Sequence, residues 1–360
     1  MKVALVHDWL NQTGGAEDVL NVLNNIFPAA PIYTSIYAPE QVNSEFLDMD
    51  VRVSWANRLP GIHLKHQLYL FIYPFVFNQF DLSQYNLVIS NKSGFCHGVN
   101  TTASTTHICY CLTPTRYVWD IDSYLKQENF HPLLPVLLRP FIKAMQQWEK
   151  KASEQVDYFI AISNEVQRRI SCYYERESVV IHPPVDTSRF VPSEQQGSYF
   201  LVVSRLIPYK RIDLAVKACS DLGLPLKVAG DGRDLSRLQA LAGDNVEFLG
   251  YVSDVELPEL MAGCRALLFP GLEDFGITPL QVMASGRPVI AFAGGGALDY
   301  VQDGETGSLI SYQTVEAFKD GLIRFEDDKF DSLSIRQFAV GFDKSVFKQK
   351  IREFVEVAMN

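Results

Sequence analysis

Arg205 and Lys210 lie in SRLIPYKR, between an apolar strand-like run, Tyr199–Val203, and a helical run beginning at Ile212. Both side chains therefore leave from a strand-to-helix loop at the carboxyl end of a strand, where open α/β sheets bind ligands. A guanidinium fork and an ammonium at that point suit a diphosphate, and the charge that develops as one departs. A solvated basic loop is the plain alternative. A second loop of this kind follows the run ending at Phe269, in FPGLEDFGITPLQVMASG. Pro279 fits the first turn of a helix and Gly286 its end, so Glu273 is expected beside a helix N-terminus. Phe275, Gly276 and Ile277 can offer backbone N–H groups there. A carboxylate with a row of donors can grip sugar hydroxyls; capping of the helix dipole alone would also account for the acid. The third constellation is NQTGGAEDVL, where Gly14 and Gly15 open a helix that carries Glu17 and Asp18 in its first turn. Glycines there leave the backbone open to an anion at a helix N-terminus, although a simple turn uses the same residues.

The elements that must position these loops alternate along the chain. Strands are expected at Lys2–Val6, Ile32–Ile36, Val51–Val53, Leu87–Ser90, His107–Cys111, Tyr158–Ala161 and Val179–His182. A second set is expected at Tyr199–Val203, Leu226–Ala229, Val246–Leu249, Ala266–Phe269, Pro288–Ala291 and Ser308–Ile310. Short apolar strands separated by helix-length segments mean βαβ units and parallel sheets with helices on both faces. HPPVDTSRFVPSEQQG, His182–Gly197, reads as the hinge between two such domains. An amphipathic helix over Ser345–Ala358 carries Phe347, Ile351, Phe354 and Val355 on one face. Two apolar segments stand out, LYLFIYPFVF at Leu68–Phe77 and LLPVLLRPFI at Leu133–Ile142, with His63, Lys65, His66, Arg139, Lys143, Lys150 and Lys151 nearby. They read as core helices in the main, and as a membrane-facing surface in the alternative.

Composition bounds what these sites can serve. The chain has 360 residues and a formal net charge of −10, which suits two α/β domains and disfavours nucleic-acid binding. The N-terminal apolar run, Val3–Val6, is too short for a signal-peptide core, and no stretch reaches membrane-spanning length. The six cysteines lack metal spacing and read as free thiols in a reducing compartment, so a cytoplasmic protein is expected. The fingerprint GxGxxG is absent, which disfavours a nicotinamide dehydrogenase.

Taken in order, SRLIPYKR, AGDGRD, LFPGLEDFGITPLQVMASGRPVIAFAGGGALDYV and DGETG resemble the donor domain of family 4 retaining glycosyltransferases. In the first half, VHDWLNQTGGAEDVL, FDLSQYNLVIS, HICYCLTPTRYVWD and VDYFIAISNEVQRRI resemble bacterial O-antigen and exopolysaccharide members, often mannosyltransferases. The resemblance implies the α/β GT-B fold: two Rossmann-like domains whose parallel sheets face each other across a cleft. It implies an acceptor-binding domain over 1–183, completed by a crossover helix at 341–360, and a nucleotide-sugar-binding domain over 184–340. It further implies that Arg205 and Lys210 hold the donor diphosphate and Glu273 the transferred sugar. Phe275, Gly276 and Ile277 would add backbone contacts, Tyr251, Val252 and Ser253 would meet the nucleobase, and Gly14 and Gly15 would approach the phosphate, with domain closure excluding water. Acceptor candidates are Asp8, Trp9, Asn91, Lys92, Arg116 and Trp119, with Tyr117 and Asp120 beside them.

Two departures from the family pattern matter. Gln281 stands where a second Glu would hold the ribose, and Leu112 where many relatives have a His at the donor sugar. An amide carbonyl still accepts a hydroxyl hydrogen bond; leucine cannot, so Thr113, Thr115 or Arg116 would have to substitute. The implied activity moves a hexose, mannose from GDP-mannose first and a UDP-hexose second, to a lipid-linked or growing glycan, at a membrane surface if the acceptor is polyprenyl-linked. Neither cofactor nor metal is expected, since Arg205 and Lys210 can do a metal's electrostatic work. A non-catalytic nucleotide-sugar-binding subunit, suggested by Gln281 and Leu112, and a sugar-nucleotide epimerase of similar fold are the competing readings.

Overall fold

The structure is a computed structural model describing residues 1–120, 134–193 and 197–360, with the side chains of 134–137 excepted. It divides into two compact units, Met1–Pro184 with Phe347–Asn360, and Val185–Val346.

In the first unit the strands are β1 (Val3–His7), β2 (Ile32–Thr34), β3 (Val51–Val53), β4 (Leu87–Lys92), β5 (Thr106–Cys111), β6 (Tyr158–Ala161) and β7 (Ser178–Val180). They pair in the order β3-β2-β1-β4-β5-β6-β7, and every pairing is parallel. The second unit holds β8 (Phe200–Val203), β9 (Leu226–Ala229), β10 (Val246–Gly250), β11 (Leu267–Phe269), β12 (Val289–Phe292) and β13 (Gly307–Ile310). Their order is β10-β9-β8-β11-β12-β13, again all parallel. Crossover helices cover both faces of such sheets, so β1 and β4 are buried at every position.

In each sheet the strand order reverses once, between β1 and β4 in the first and between β8 and β11 in the second. Loops leaving the carboxyl ends of two strands at such a reversal diverge to opposite faces and leave a crevice.

The expected hinge is not a free linker. Val185 and Phe190 are fully buried in the second unit, Arg287 and Arg336 donate to the Ser193 and Phe190 carbonyls, and Lys344 Nζ lies 2.8 Å from Asp186. The prolines mark the boundary at Pro184, but the apolar side chains after it have a core to enter; Glu194–Gln196 lie outside the described residues. The final helix, Lys344–Met359, buries Phe347, Ile351 and Val355, with Phe347 edge-on to Tyr110 of β5 and Phe354 edge-on to Tyr158 of β6.

The apolar segment Leu68–Phe77 is only half core. Tyr73, Val76 and Phe77 are buried, whereas Leu68, Phe71 and Phe75 are exposed. Of the second segment, Ile142 is buried and Phe141 exposed, and Leu133 lies outside the described residues. No helix among the described residues is long and apolar enough to cross a membrane. Five cysteines are buried free thiols and Cys172 is exposed.

Candidate active site

Arg205 and Lys210 leave β8, and Glu273 leaves β11, so the two loops flank the strand-order reversal of the second unit. The Arg205 loop is fixed by backbone. Ser204 N donates to Ala229 O at 3.0 Å, and Leu206 N donates to Asp231 O at 2.9 Å. This close approach explains the glycines of AGDGRD. A Cβ on Gly230, whose φ is +130°, would sit 1.9 Å from the Ser204 carbonyl oxygen. Only glycine allows both that conformation and that contact. The Arg205 guanidinium is exposed, and no carboxylate among the described residues pairs with it.

The Glu273 loop is held equally firmly. Gly296 N donates to Glu273 O at 2.9 Å, and the Tyr300 hydroxyl donates to Phe275 O at 2.7 Å. Gly295, at φ +63°, lets the chain pass where a Cβ would lie 2.3 Å from the Glu273 carbonyl oxygen. The triple-glycine loop after β12 thus buttresses the carboxylate loop. Gly271 brings that loop against Lys210, since a Cβ there would lie 2.9 Å from Lys210 O. The result is an ion pair: Lys210 Nζ lies 2.5 Å from Glu273 Oε1, both side chains about one-seventh exposed (14% and 15%). Two of the three residues singled out for chemistry are therefore paired with each other. The helix that follows, Thr278–Ala284, carries Pro279 in its first turn. Phe275 is buried, while Gly276, Ile277 and Gln281 are half-buried.

Tyr251, Val252 and Ser253 follow β10. The Tyr251 ring is exposed. Ser253 and Glu256, just before the next helix, bond each other reciprocally: Ser253 donates its N–H at 3.3 Å and its hydroxyl at 2.6 Å to Glu256, which donates its own N–H back to Ser253 Oγ. These bonds from Ser253 hold the Glu256 carboxyl below its ordinary range.

In the first unit Gly14 is half-buried and Gly15 exposed, at the start of the helix Gly15–Ile26 after β1. Asn91 secures that helix by donating Nδ2–H to Ala16 O at 2.7 Å. Four acceptor candidates prove to be internal. Asp8 is fully buried, its carboxylate accepting the N–H groups of Ser93, Gly94, Phe95 and Cys96 at 2.5–2.8 Å. It shapes the loop after β4 and has no face left for a ligand. Trp9 is buried against His66 and Tyr73. Asn91 and Lys92 are fully buried. Lys92 Nζ donates to Thr113 O at 3.2 Å and Thr115 Oγ1 at 3.3 Å, with Glu149 at 3.8 Å. Burial works against the Lys92 charge, but Glu149 and the neighbouring Cys111 and Asp8 groups outweigh it and raise its pKa.

Glu149 itself carried no signal in the sequence. It accepts from the Thr115 hydroxyl, from Trp119 Nε1–H at 2.5 Å and from the Tyr174 hydroxyl at 3.0 Å. It thereby pins the segment after β5, where Trp119 also stacks on Tyr173 at 4.6 Å. The Thr113 hydroxyl donates to the Pro114 carbonyl at 3.1 Å, and the single proton of the Thr115 hydroxyl has the Gly94 carbonyl and Glu149 as alternative acceptors. Arg116 and Tyr117 are half-buried and Asp120 is exposed. Position 149 lies in the polar run QQWEKK, and i, i+4 patterning does not distinguish a buried acid from a solvated one.

Residues 185–339 match the family model described as glycosyl transferases group 1. This segment is a group 1 glycosyltransferase domain. The glycosyltransferase domain contains Arg205, Lys210 and Glu273 with the loops that hold them. Over a longer stretch, the chain is 28% identical over 260 residues to the O-antigen chain mannosyltransferase RfbU of Salmonella typhimurium, covering 66% of this chain and 69% of that protein. It is 28% identical over 200 residues to a GDP-mannose-dependent α-(1-6)-phosphatidylinositol monomannoside mannosyltransferase of Mycolicibacterium smegmatis, covering 47% and 52%. Matches such as the latter span about half the length of the curated relatives. Among solved structures, HepE of Anabaena in complex with UDP superposes with a TM-score of 0.70 at 18% identity, over 99% of this chain and 100% of that one. That likeness shows the GT-B fold for the whole chain.

Proposed function

We propose that the chain is a retaining hexosyltransferase that moves mannose from GDP-mannose to a lipid-linked or growing glycan, in the assembly of a bacterial surface polysaccharide. The observation that carries this reading is the placement of Arg205, Lys210 and Glu273 on the two loops at the strand-order reversal of a group 1 glycosyltransferase domain. In the proposed reaction Arg205 and Lys210 hold the donor diphosphate, and Glu273 the hydroxyls of the sugar. Phe275, Gly276 and Ile277 line the sugar with backbone groups, Gln281 takes the ribose, and Tyr251–Ser253 meet the base. Gly14 and Gly15 offer an anion site at the corresponding reversal of the first sheet. The bond from the anomeric carbon to the leaving phosphate breaks, the acceptor oxygen bonds to that carbon, and the acceptor proton passes to the departing phosphate. The two cations carry the charge released, without a cofactor. Of the acceptor candidates, Arg116, Tyr117, Trp119 and Asp120 are the ones not enclosed in the first unit.

The mannosyl preference rests on the names of the relatives, RfbU and the mycobacterial enzyme. A UDP-hexose is the second donor to test, because HepE was solved with UDP and with UDP-glucose. The experiment is calorimetric titration with GDP, UDP and ADP, repeated on Arg205→Ala, followed by transfer from the matching sugar nucleotide. GDP binding lost in the variant supports the reading. UDP binding lost in the variant keeps the enzyme and changes the donor. Absence of any nucleotide binding by the folded protein overturns it in favour of a non-catalytic subunit.

A further inference from the structure

Two buried titratable side chains of the first unit, His7 and Glu17, have no part in the reaction proposed for the donor. His7 ends β1, and Glu17 lies in the first turn of the helix Gly15–Ile26; the side chains are 1% exposed. His7 Nε2 lies 3.5 Å from Glu17 Oε1, too long for a good hydrogen bond. The other carboxylate oxygen, Oε2, has no hydrogen-bond partner among the described residues. It lies at the helix entry, since a Cβ on Gly14 would sit 3.3 Å from it. The first-turn N–H groups of Gly15, Ala16 and Glu17 open on the same entry and meet no acceptor among the described residues. The place that the helix prepares for an anion therefore already faces a buried carboxylate. An anion settles there only when that negative charge is offset.

His7 is placed to supply the offset. Its Nδ1 lies 3.2 Å from the Asn91 carbonyl oxygen and 3.3 Å from Asn91 Nδ2. Asn91 Nδ2 donates one hydrogen to Ala16 O at 2.7 Å and has a second for the ring. A neutral ring accepts that hydrogen at Nδ1 and turns its Nε2–H to Glu17. A protonated ring donates from Nδ1 to the Asn91 carbonyl, which it shares with the Cys96 thiol at 3.4 Å, and still turns Nε2–H to Glu17. Both states fit one ring position, so a proton is added without rearrangement. The unsatisfied atoms nearby, Glu17 Oε2 and Asn91 Oδ1, are acceptors and favour adding it. The other titratable groups around the pair are engaged elsewhere. Asp8 is held by the N–H groups after β4, and Lys92 by Thr113, Thr115 and Glu149. His63 bonds Asn57, His66 bonds Asn11 and His107 bonds Ser90. Burial holds the His97 imidazole well below its ordinary value and the Cys96 thiol well above. Asp18, in the same helical turn, is exposed.

We propose that His7 and Glu17 are a charge-compensating pair beneath the Gly14–Gly15 anion site, His7 taking up one proton from solvent as a phosphate arrives at the helix entry and releasing it as the phosphate leaves. Neither side chain touches the ligand, and both act as positioning residues. The inference rests on the reading that a nucleoside diphosphate places a phosphate at Gly14 and Gly15.

The test is calorimetric titration of the full chain with GDP and UDP at pH 7, in buffers of low and high ionisation enthalpy. Glu17→Gln and His7→Gln are titrated beside the wild type. The heat difference between buffers counts the protons taken up, and the contributions of the diphosphate and of Lys210 with Glu273 are common to all these proteins. Wild type should take up at least about 0.3 proton per nucleotide more than Glu17→Gln. Between pH 8 and 6.5 its affinity should gain about threefold more than that of either variant. His7→Gln, which keeps the carboxylate without its offset, should bind more weakly than Glu17→Gln. Nitrogen-15 spectra of histidine-labelled wild type read the ring without a buried substitution: nucleotide should shift His7 toward the imidazolium. Nucleotide that binds with equal proton uptake and equal pH dependence in wild type and Glu17→Gln, or a His7 ring that nucleotide leaves unchanged, overturns the proposal and leaves the donor reading standing. Absence of nucleotide binding overturns both.

Discussion

Glu273→Gln removes the carboxylate that neutralises Lys210 and leaves a side chain of the same size. With 2.5 Å between the charged atoms and both side chains about 15% exposed, the pair is neither fully solvated nor sealed. Coulomb's law at an effective dielectric near 20 sets an upper bound of about 7 kcal/mol, and desolvation with residual water reduces the net value to roughly 1–2 kcal/mol. A nucleoside diphosphate bound through Lys210 has to displace Glu273 and accept its repulsion. Removing the acid should therefore tighten the nucleoside diphosphate by about 5- to 30-fold. The same change removes the proposed sugar contact, so transfer from the nucleotide sugar should fall by roughly 100-fold. The assay is calorimetry with the diphosphate alone, beside initial rates with the sugar nucleotide. Unchanged or weaker diphosphate binding in the variant, while wild type binds and Arg205→Ala does not, would refute the competition between Glu273 and the ligand for Lys210.

Other consequences follow from the same geometry. Gly230→Ala forces a Cβ to within 1.9 Å of the Ser204 carbonyl at a positive φ; it should cost about 2–4 kcal/mol and displace the Arg205 loop, seen as a lower unfolding midpoint together with weaker nucleotide binding. Asp8→Asn exchanges a carboxylate that accepts four backbone N–H groups for an amide that cannot satisfy them all. A loss of roughly 2–4 kcal/mol is expected, and a variant that folds normally but fails only in acceptor turnover would restore Asp8 to the acceptor site. Buried His107 has its pKa pushed down to about 4 by burial, against a smaller opposing effect of Asp157, and burial holds His97 well below its ordinary value. Both are neutral when folded and bind protons on unfolding, so their stabilisation is complete above about pH 6.5 and is lost as pH falls toward 4. Stability measured by denaturant titration between pH 7 and 4.5 should depend less steeply on pH in His107→Gln, by about 1 kcal/mol per pH unit on average.

Much of the scaffold was legible because parallel sheets buried on both faces write themselves as short apolar runs. Each of the thirteen strand segments expected from the sequence contains a strand, displaced by no more than two residues at most ends. The boundary of the second unit was harder. HPPVDTSRFVP has the composition of a linker, yet Val185 and Phe190 are core residues. Proline fixes where a helix or strand stops, not whether the next side chains find a cavity to fill. The acceptor candidates show the same limit. Asp8, Trp9, Asn91 and Lys92 are polar or aromatic residues at strand ends, the composition of a binding site. Each is instead absorbed by a neighbouring loop or ring.

Local spacing determined that Arg205, Lys210 and Glu273 stand on strand-to-helix loops, because helix and strand periods are properties of the chain itself. It also placed glycines where the backbone must turn or come close. Which loops become neighbours was decided by sheet order, which no local pattern encodes: β8 lies beside β11, and residues far apart in sequence form the 2.5 Å pair of Lys210 and Glu273. Burial was decided the same way. Leu64–Phe77 is apolar along most of its length, and only the packed core decided that Tyr73, Val76 and Phe77 are buried while Leu64, Leu68, Phe71 and Phe75 are exposed.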